Sequence, residues 1–186
     1  MRKLIAFEQV SLDGFFVDGK GDMSWAHKQD PEWNAFVGGN ASGDGALVFG
    51  RVTYEMMASF WPTPAAMETM PAVAKGMNQL PKLVVSRTLK KVSWNNTTLL
   101  KGDLAAEVRK KKKEPGPDMA ILGSGSIVSQ LAQAGLIDEL QIVVNPIVLG
   151  QGRTLFAGVK EKIGLKLIRS RAFGNGNVVL YYVPTA

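Results

Sequence analysis

Two arginines, a glycine–serine run and a set of hydroxyls stand where apolar runs end in this 186-residue chain. The first such place is Gly123-Ser124-Gly125-Ser126-Ile127, after the apolar stretch MAIL and before an amphipathic segment. A buried strand that turns through glycines into a helix leaves unpaired backbone N–H groups at the helix start. The helix dipole adds partial positive charge there, so the spot suits a phosphate. The full Rossmann fingerprint is absent, because Val128 stands where its third glycine belongs and no acidic residue closes the following strand. A plain helix cap, with Ser124 or Ser126 as N-cap, accounts for the same residues. The second place is Phe49-Gly50-Arg51-Val52-Thr53. Gly50 lets the backbone approach a ligand closely, Arg51 offers a planar donor fork and Thr53 a hydroxyl near a helix start; a surface arginine beside a capping threonine is the bland alternative. The third is Val85-Ser86-Arg87-Thr88, where Arg87 could pair with a phosphate monoester such as the ribose 2′-phosphate that separates NADP from NAD, or could be a surface loop arginine. Each signal is soft alone. All three sit at the exit of an apolar strand, and together they carry enough positive charge for a pyrophosphate and one further phosphate.

Composition narrows the rest. The chain has no cysteine and one histidine, His27, which removes thiol nucleophiles, thiolate metal sites and multi-histidine zinc sites, so no metal is expected. An enzyme built this way takes its chemistry from an organic cofactor. The formal charge of +6 owes much to one block, Arg109 to Lys113. With no aromatic residues interleaved, it reads as the solvated C-terminal end of a helix from about Leu104 rather than a nucleic-acid patch. No apolar run approaches the ~18 residues of a membrane span. The N-terminal MRKLIAFEQV breaks at Glu8 and reads as a first strand rather than a signal peptide, so a cytoplasmic protein is expected.

The elements that must hold these residues follow from patterning. Strands are expected at residues 3–10, 46–50, 82–88, 97–103 and 118–123, with a further strand over 138–150 broken by Pro146. Helices are expected at 30–37, capped by Asp30 with Pro31 at its first position, at 51–57, and at 126–135. Residues 16–24, 38–45 and the three-proline stretch 61–72 read as loops. Asn175-Gly176-Asn177 fits a tight hairpin joining SRAF to VVLYYV. Apolar strands alternating with helices to about residue 145 imply a largely parallel sheet covered on both faces, extended by an antiparallel hairpin at its edge: a single-domain α/β three-layer sandwich over 1–186. In such sheets ligands gather at the carboxyl ends of the strands.

The residues also carry a resemblance. Ser11-Leu12-Asp13-Gly14 after the first strand, Val48 to Tyr54 after the second, Val85-Ser86-Arg87, Leu122 to Ser126, then Asp138-Glu139-Leu140 leading to Pro146, Gly150-x-Gly152 and Phe156 resemble the dihydrofolate reductase-like proteins. Within them the chain resembles the reductase domain of riboflavin biosynthesis, the RibD C-terminal type. The resemblance implies a mixed sheet of the dihydrofolate reductase-like kind and NADPH as hydride donor. It implies that Gly50, Arg51 and Thr53 contact the cofactor's phosphates, Ser86 and Arg87 the adenosine 2′-phosphate, and Gly123, Ser124, Gly125, Ser126 and Ile127 the pyrophosphate. It further implies a homodimer through the late strands. The expected activity is hydride transfer to a pteridine- or pyrimidine-type substrate, as in 5-amino-6-(5-phosphoribosylamino)uracil reduction. Dihydrofolate reductase-like activity and a non-catalytic NADP-binding module are the alternatives. Asp30 and Asp13 are the candidate catalytic side chains. Asp30 also fits a helix cap with Glu32 as its competitor, and Asp13 also fits an Asp-Gly turn.

Overall fold

The computed structural model describes residues 1–28, 30–41 and 43–185. The chain opens with β1 (Leu4–Ser11), β2 (Phe15–Asp18), a 3-10 turn at Ser24–Ala26 and α1 (Pro31–Ala41). It continues with β3 (Ala46–Gly50), α2 (Arg51–Phe60), α3 (Pro64–Thr69), α4 (Pro71–Gln79), β4 (Lys82–Val85), β5 (Thr97–Leu100) and α5 (Leu104–Lys113). The last part holds β6 (Met119–Leu122), α6 (Gly125–Gln133), β7 (Glu139–Asn145), β8 (Gly152–Thr154), β9 (Leu165–Ala172) and β10 (Val178–Pro184). Eight strands form one sheet in the order β5-β4-β3-β6-β1-β7-β10-β9, and β2 pairs with β8 in a separate ribbon. The pairs from β5 across to β7 are parallel; β10 runs antiparallel to both β7 and β9.

The expected three-layer α/β architecture is present, and the physical reason lies in the central strands. ALVFG of β3 is buried on both faces, as a parallel strand between two helical layers must be. Its Ala46 and Val48 join the cluster built on Ile127, Val128 and Leu131 of α6 and Val108 of α5. Its Leu47 and Phe49 turn to the other face, against Tyr54 of α2, Met77 of α4 and Trp94. On that second face α1 covers the other half of the sheet, packing Trp33 and Phe36 against Phe7, Val143, Phe173 and Tyr181. Helices α1 and α4 meet at Gly76, where a Cβ would lie 2.0 Å from the Ala41 carbonyl oxygen.

Several boundaries differ from the sequence reading. The three-proline stretch 61–72 is not a loop: Pro64 and Pro71 each start a helix. Proline's missing N–H is no loss at a first helical position, and Thr63 caps α3 by accepting the Ala66 amide. Helix α1 runs through Gly38, Gly39 and Asn40 to Ala41, past the expected end at 37. The loop 16–24 contains most of β2, which gains a partner only when β8 is brought to it. Strand β7 stops at Asn145, because Pro146 has no N–H to give to the ladder.

Candidate functional site

Strand register brings the three turns together. Gly50 of β3 stands opposite Val85 of β4, and Val48 lies opposite Ile121 of β6. The chain therefore leaves β3, β4 and β6 at one level on one edge of the sheet. Gly50 donates its N–H to Ser124 Oγ at 3.2 Å, and Thr53 donates its hydroxyl to the Gly123 carbonyl at 2.9 Å. A Cβ on Gly50 would lie 3.2 Å from Ile127 Cδ1 and 3.9 Å from Ser124 Oγ, so the two turns pack closely at this glycine. Gly123 has φ +62°, a left-handed value that favours glycine.

Ser124 is the residue before α6, and its hydroxyl makes no cap bond to the helix. Its carbonyl accepts from Ile127 and Val128. Among the described residues, no acceptor is seen for the amides of Gly125 and Ser126. Two donors thus lack a partner at the positive end of a nine-residue helix, where an anion is favoured; Ser126 is exposed, while Gly125 is buried with the Phe16 ring 2.6 Å from where its Cβ would stand. Ser86 is buried and its Oγ accepts from the Thr88 and Leu89 amides, which fixes the third turn. Arg87 next to it is largely exposed and 3.7 Å from Asp103; Arg51 is half-exposed and 2.9 Å from Glu55. Exposed pairs of this kind are weak, so both guanidinium groups can turn to a bound anion.

The two candidate acids lie at other turns. Asp30 caps α1: its Oδ1 accepts the Trp33 amide at 2.7 Å, and its Oδ2 faces Gly174 in the β9–β10 hairpin, 3.2 Å from where a Cβ there would stand. Asp13 accepts the Leu149 and Gly150 amides at 3.1 and 2.8 Å and the Ser11 hydroxyl at 2.6 Å. These hydrogen bonds, that from Ser11 foremost, hold its carboxyl down at about 2. Asp13 therefore ties the turn after β1 to the turn after β7. Trp33 is core, and His27 is exposed. In the basic block Lys112 is buried, bound to Asp138 and the Leu136 carbonyl, which corrects the expectation of a wholly solvated helix end.

One acid at the site went unread in the sequence beyond marking where an apolar run breaks. Glu8 sits on β1, 2% exposed, on the face shared with Leu4, Ala6 and Val10. Its Oε1 accepts the Ser124 amide at 3.1 Å. Burial pushes its pKa up to about 8, against the pull of the Ser124 and Gly123 amides. The available signal was period two: a carboxylate at an inward position of an alternating strand.

Comparison with known proteins adds a lineage. The RibD C-terminal domain family matches residues 2–179. The uncharacterized protein YyaP of Bacillus subtilis (strain 168) is 30% identical over 97% of this chain and 94% of its own length. A diaminohydroxyphosphoribosylaminopyrimidine deaminase/5-amino-6-(5-phosphoribosylamino)uracil reductase of Thermotoga maritima superposes with a TM-score of 0.70 at 12% identity, covering 99% of this chain and 57% of that one. Dihydrofolate reductase of Enterococcus faecalis, solved in complex with NADP(H), superposes with a TM-score of 0.66 at 14% identity over 99% and 97% of the two chains. At such identities the structural likenesses establish the fold.

Proposed function

Because this chain belongs to the RibD C-terminal domain family, we propose that it is an NADPH-dependent reductase acting on a pyrimidine- or pteridine-type substrate, with 5-amino-6-(5-phosphoribosylamino)uracil reduction as the nearest reaction type. The observation that carries this reading is the meeting of three strand exits at one sheet edge, with two unpartnered amides at the start of α6 and an arginine at each of the other two exits. The residues fit the group. The Gly125 and Ser126 amides suit a pyrophosphate, Gly50 lets the Ile127 and Ser124 side chains pack close beneath the turn, and Arg51 and Thr53 stand at the adjoining helix start. Ser86 and Arg87 occupy the neighbouring turn, where a 2′-phosphate monoester would find a guanidinium. Bound there, NADPH supplies the hydride.

The protein's share is position and polarity. Asp13 orders the loop after β1 by gripping the Leu149 and Gly150 amides. Asp30 is the side chain we assign to proton supply, since its Oδ2 faces the β9–β10 hairpin while Oδ1 caps the helix. We further propose a homodimer through the edge strand β9, which is exposed along its length and shows Leu165, Leu167 and Ile168 to solvent. No helix among the described residues is long and apolar enough to cross a membrane. The deciding experiment titrates NADPH and NADH into wild type and Arg87→Ala. We expect a clear preference for NADPH that shrinks in the variant, by on the order of tenfold for one charge-assisted contact. Equal affinity for both nucleotides in wild type removes the 2′-phosphate role. A substrate screen starting with 5-amino-6-ribosylaminouracil phosphate and dihydrofolate then separates a riboflavin-type reductase from a folate reductase, and absent turnover leaves the NADP-binding module.

A further inference from the structure

We infer that Glu8 is the positioning residue of the Gly123–Ser126 turn: from inside the sheet its carboxyl holds the Ser124 amide, and its charge state sets how well the outer Gly125 and Ser126 amides accept an anion. This rests on the reading of that turn as a dinucleotide phosphate site. Three successive amides lead into α6, and among the described residues they are used differently: Ser124 donates inward to Glu8, while Gly125, buried beside the Phe16 ring, and the exposed Ser126 have no acceptor. An anion on the outer pair and a carboxylate on the inner amide would share one small patch of backbone dipole. Two negative charges so placed repel strongly in low-dielectric surroundings. A neutral carboxylic acid in the same position does not repel the anion.

Among the described residues, the charged groups of the surrounding elements are engaged elsewhere. Helix α6 (GSIVSQLAQ), β6 (MAIL) and β3 (ALVFG) carry no ionisable side chain. From β2, Asp18 is engaged by the Lys20 and Asp22 amides. From β8, Arg153 lies over the Phe16 ring, 5.3 Å from its centroid. Asp13, beyond the end of β1, accepts the Leu149 and Gly150 amides. Glu139 of β7 stands opposite Ile5, toward the other end of β1, and accepts from Gln141. The Lys112–Asp138 pair lies at that far end too, where Asp138 accepts the Leu4 amide. A bare carboxyl in an apolar face is costly without a partner, and the one partner the described residues provide is the turn.

Linkage gives the sign. A bound anion favours the protonated form of Glu8, and by reciprocity the protonated form favours the anion. Anion affinity is therefore flat below the free protein's Glu8 titration and falls above it, by up to about tenfold per pH unit. Between pH 8 and 9 the 2′-phosphate, whose second pKa is about 6, and the pyrophosphate of NADPH are both ionised and add no slope of their own.

The test is a carbon-13 carboxyl NMR titration of Glu8 in the full protein, alone and with NADPH, beside NADPH dissociation constants at pH 7, 8 and 9 for wild type, Glu8→Gln and Lys82→Met. Glutamine keeps an oxygen for the Ser124 amide; Lys82→Met controls for a lysine that titrates in the same range at the opposite end of β4. We expect NADPH to raise the Glu8 titration, the wild-type and Lys82→Met constants to weaken by about fivefold between pH 8 and 9, and Glu8→Gln to be flat. An unmoved Glu8 titration, or a wild-type slope kept in Glu8→Gln, overturns the inference. If Glu8→Gln fails to fold, the wild-type NMR titration decides. If NADPH binds at no pH, the cofactor reading fails separately, and sulfate, doubly charged throughout, takes its place: shifts of the Gly125 and Ser126 amides with a raised Glu8 titration support the role of Glu8, and sulfate moving neither overturns it.

Discussion

Asp30, Asp13 and Glu8 are three carboxyl groups with three different backbone duties, and each duty makes a different prediction. Asp30→Ala removes the bond to the Trp33 amide and should cost about 1 kcal/mol of stability, seen as a lower melting temperature. Asp30→Asn keeps a good cap and removes the acid, so unchanged melting with a loss of kcat on the order of a hundredfold is the expected signature of proton supply; unchanged kcat assigns the proton to water. Asp13 and Glu8 bend stability with pH in opposite directions. The carboxyl of Asp13 is held down at about 2, so its contribution is present above the ordinary aspartate range and is lost as pH falls toward 2. Glu8, raised to about 8, stays protonated after the unfolded chain has lost that proton. Its contribution is fullest below the ordinary glutamate range and is lost as pH rises through 8. Thermal melts of Glu8→Gln from pH 4 to 9 should therefore show a flatter profile than wild type; parallel profiles contradict the burial of an acid there.

At the level of elements, the surprise is how α4 ends. Lys82, the first residue of β4, is fully buried, and its ammonium donates to the carbonyls of Met77 at 2.8 Å, Leu80 at 2.6 Å and Asn78 at 3.3 Å while standing 4.4 Å from the Trp94 ring centroid. A cation at a helix C-terminus meets the negative end of the dipole and satisfies carbonyls that have no helical donor. Lys82→Met leaves those carbonyls unpaired and should cost about 1–3 kcal/mol, measured by urea unfolding; a neutral change shows that the aliphatic stem alone matters. Patterning placed a strand here from residue 82 but read 61–72 as loop, because three prolines outweigh a weak helical period until Pro64 and Pro71 are recognised as first-turn residues. The edge strand β9 is the other elemental prediction. Ile168→Lys, on a half-exposed apolar position, should shift the protein from dimer to monomer in sedimentation without lowering its melting temperature; an unchanged mass removes β9 from the proposed interface.

Over the whole molecule, the parallel half of the sheet was legible because ALVFG, KLVV and MAIL are short apolar runs between turn signals, and the hairpin was legible from Asn-Gly-Asn. Residues Gly50, Thr53, Gly123 and Ser124 were legible as site candidates because glycines and hydroxyls at strand exits have few other uses. Glu8 and Lys82 were not, since a lone charge in an apolar run shows its burial only once its partners, 116 positions away for Glu8 and in the preceding helix for Lys82, are brought to it. Three strand exits that form one nucleotide site must respond to one ligand as a unit. The most direct test is an NADPH titration followed by backbone amide NMR across the whole chain. We expect Gly50–Arg51, Ser86–Arg87 and Gly123–Ile127 to shift together with a single dissociation constant. Shifts confined to one turn, or centred elsewhere on the molecule, contradict it.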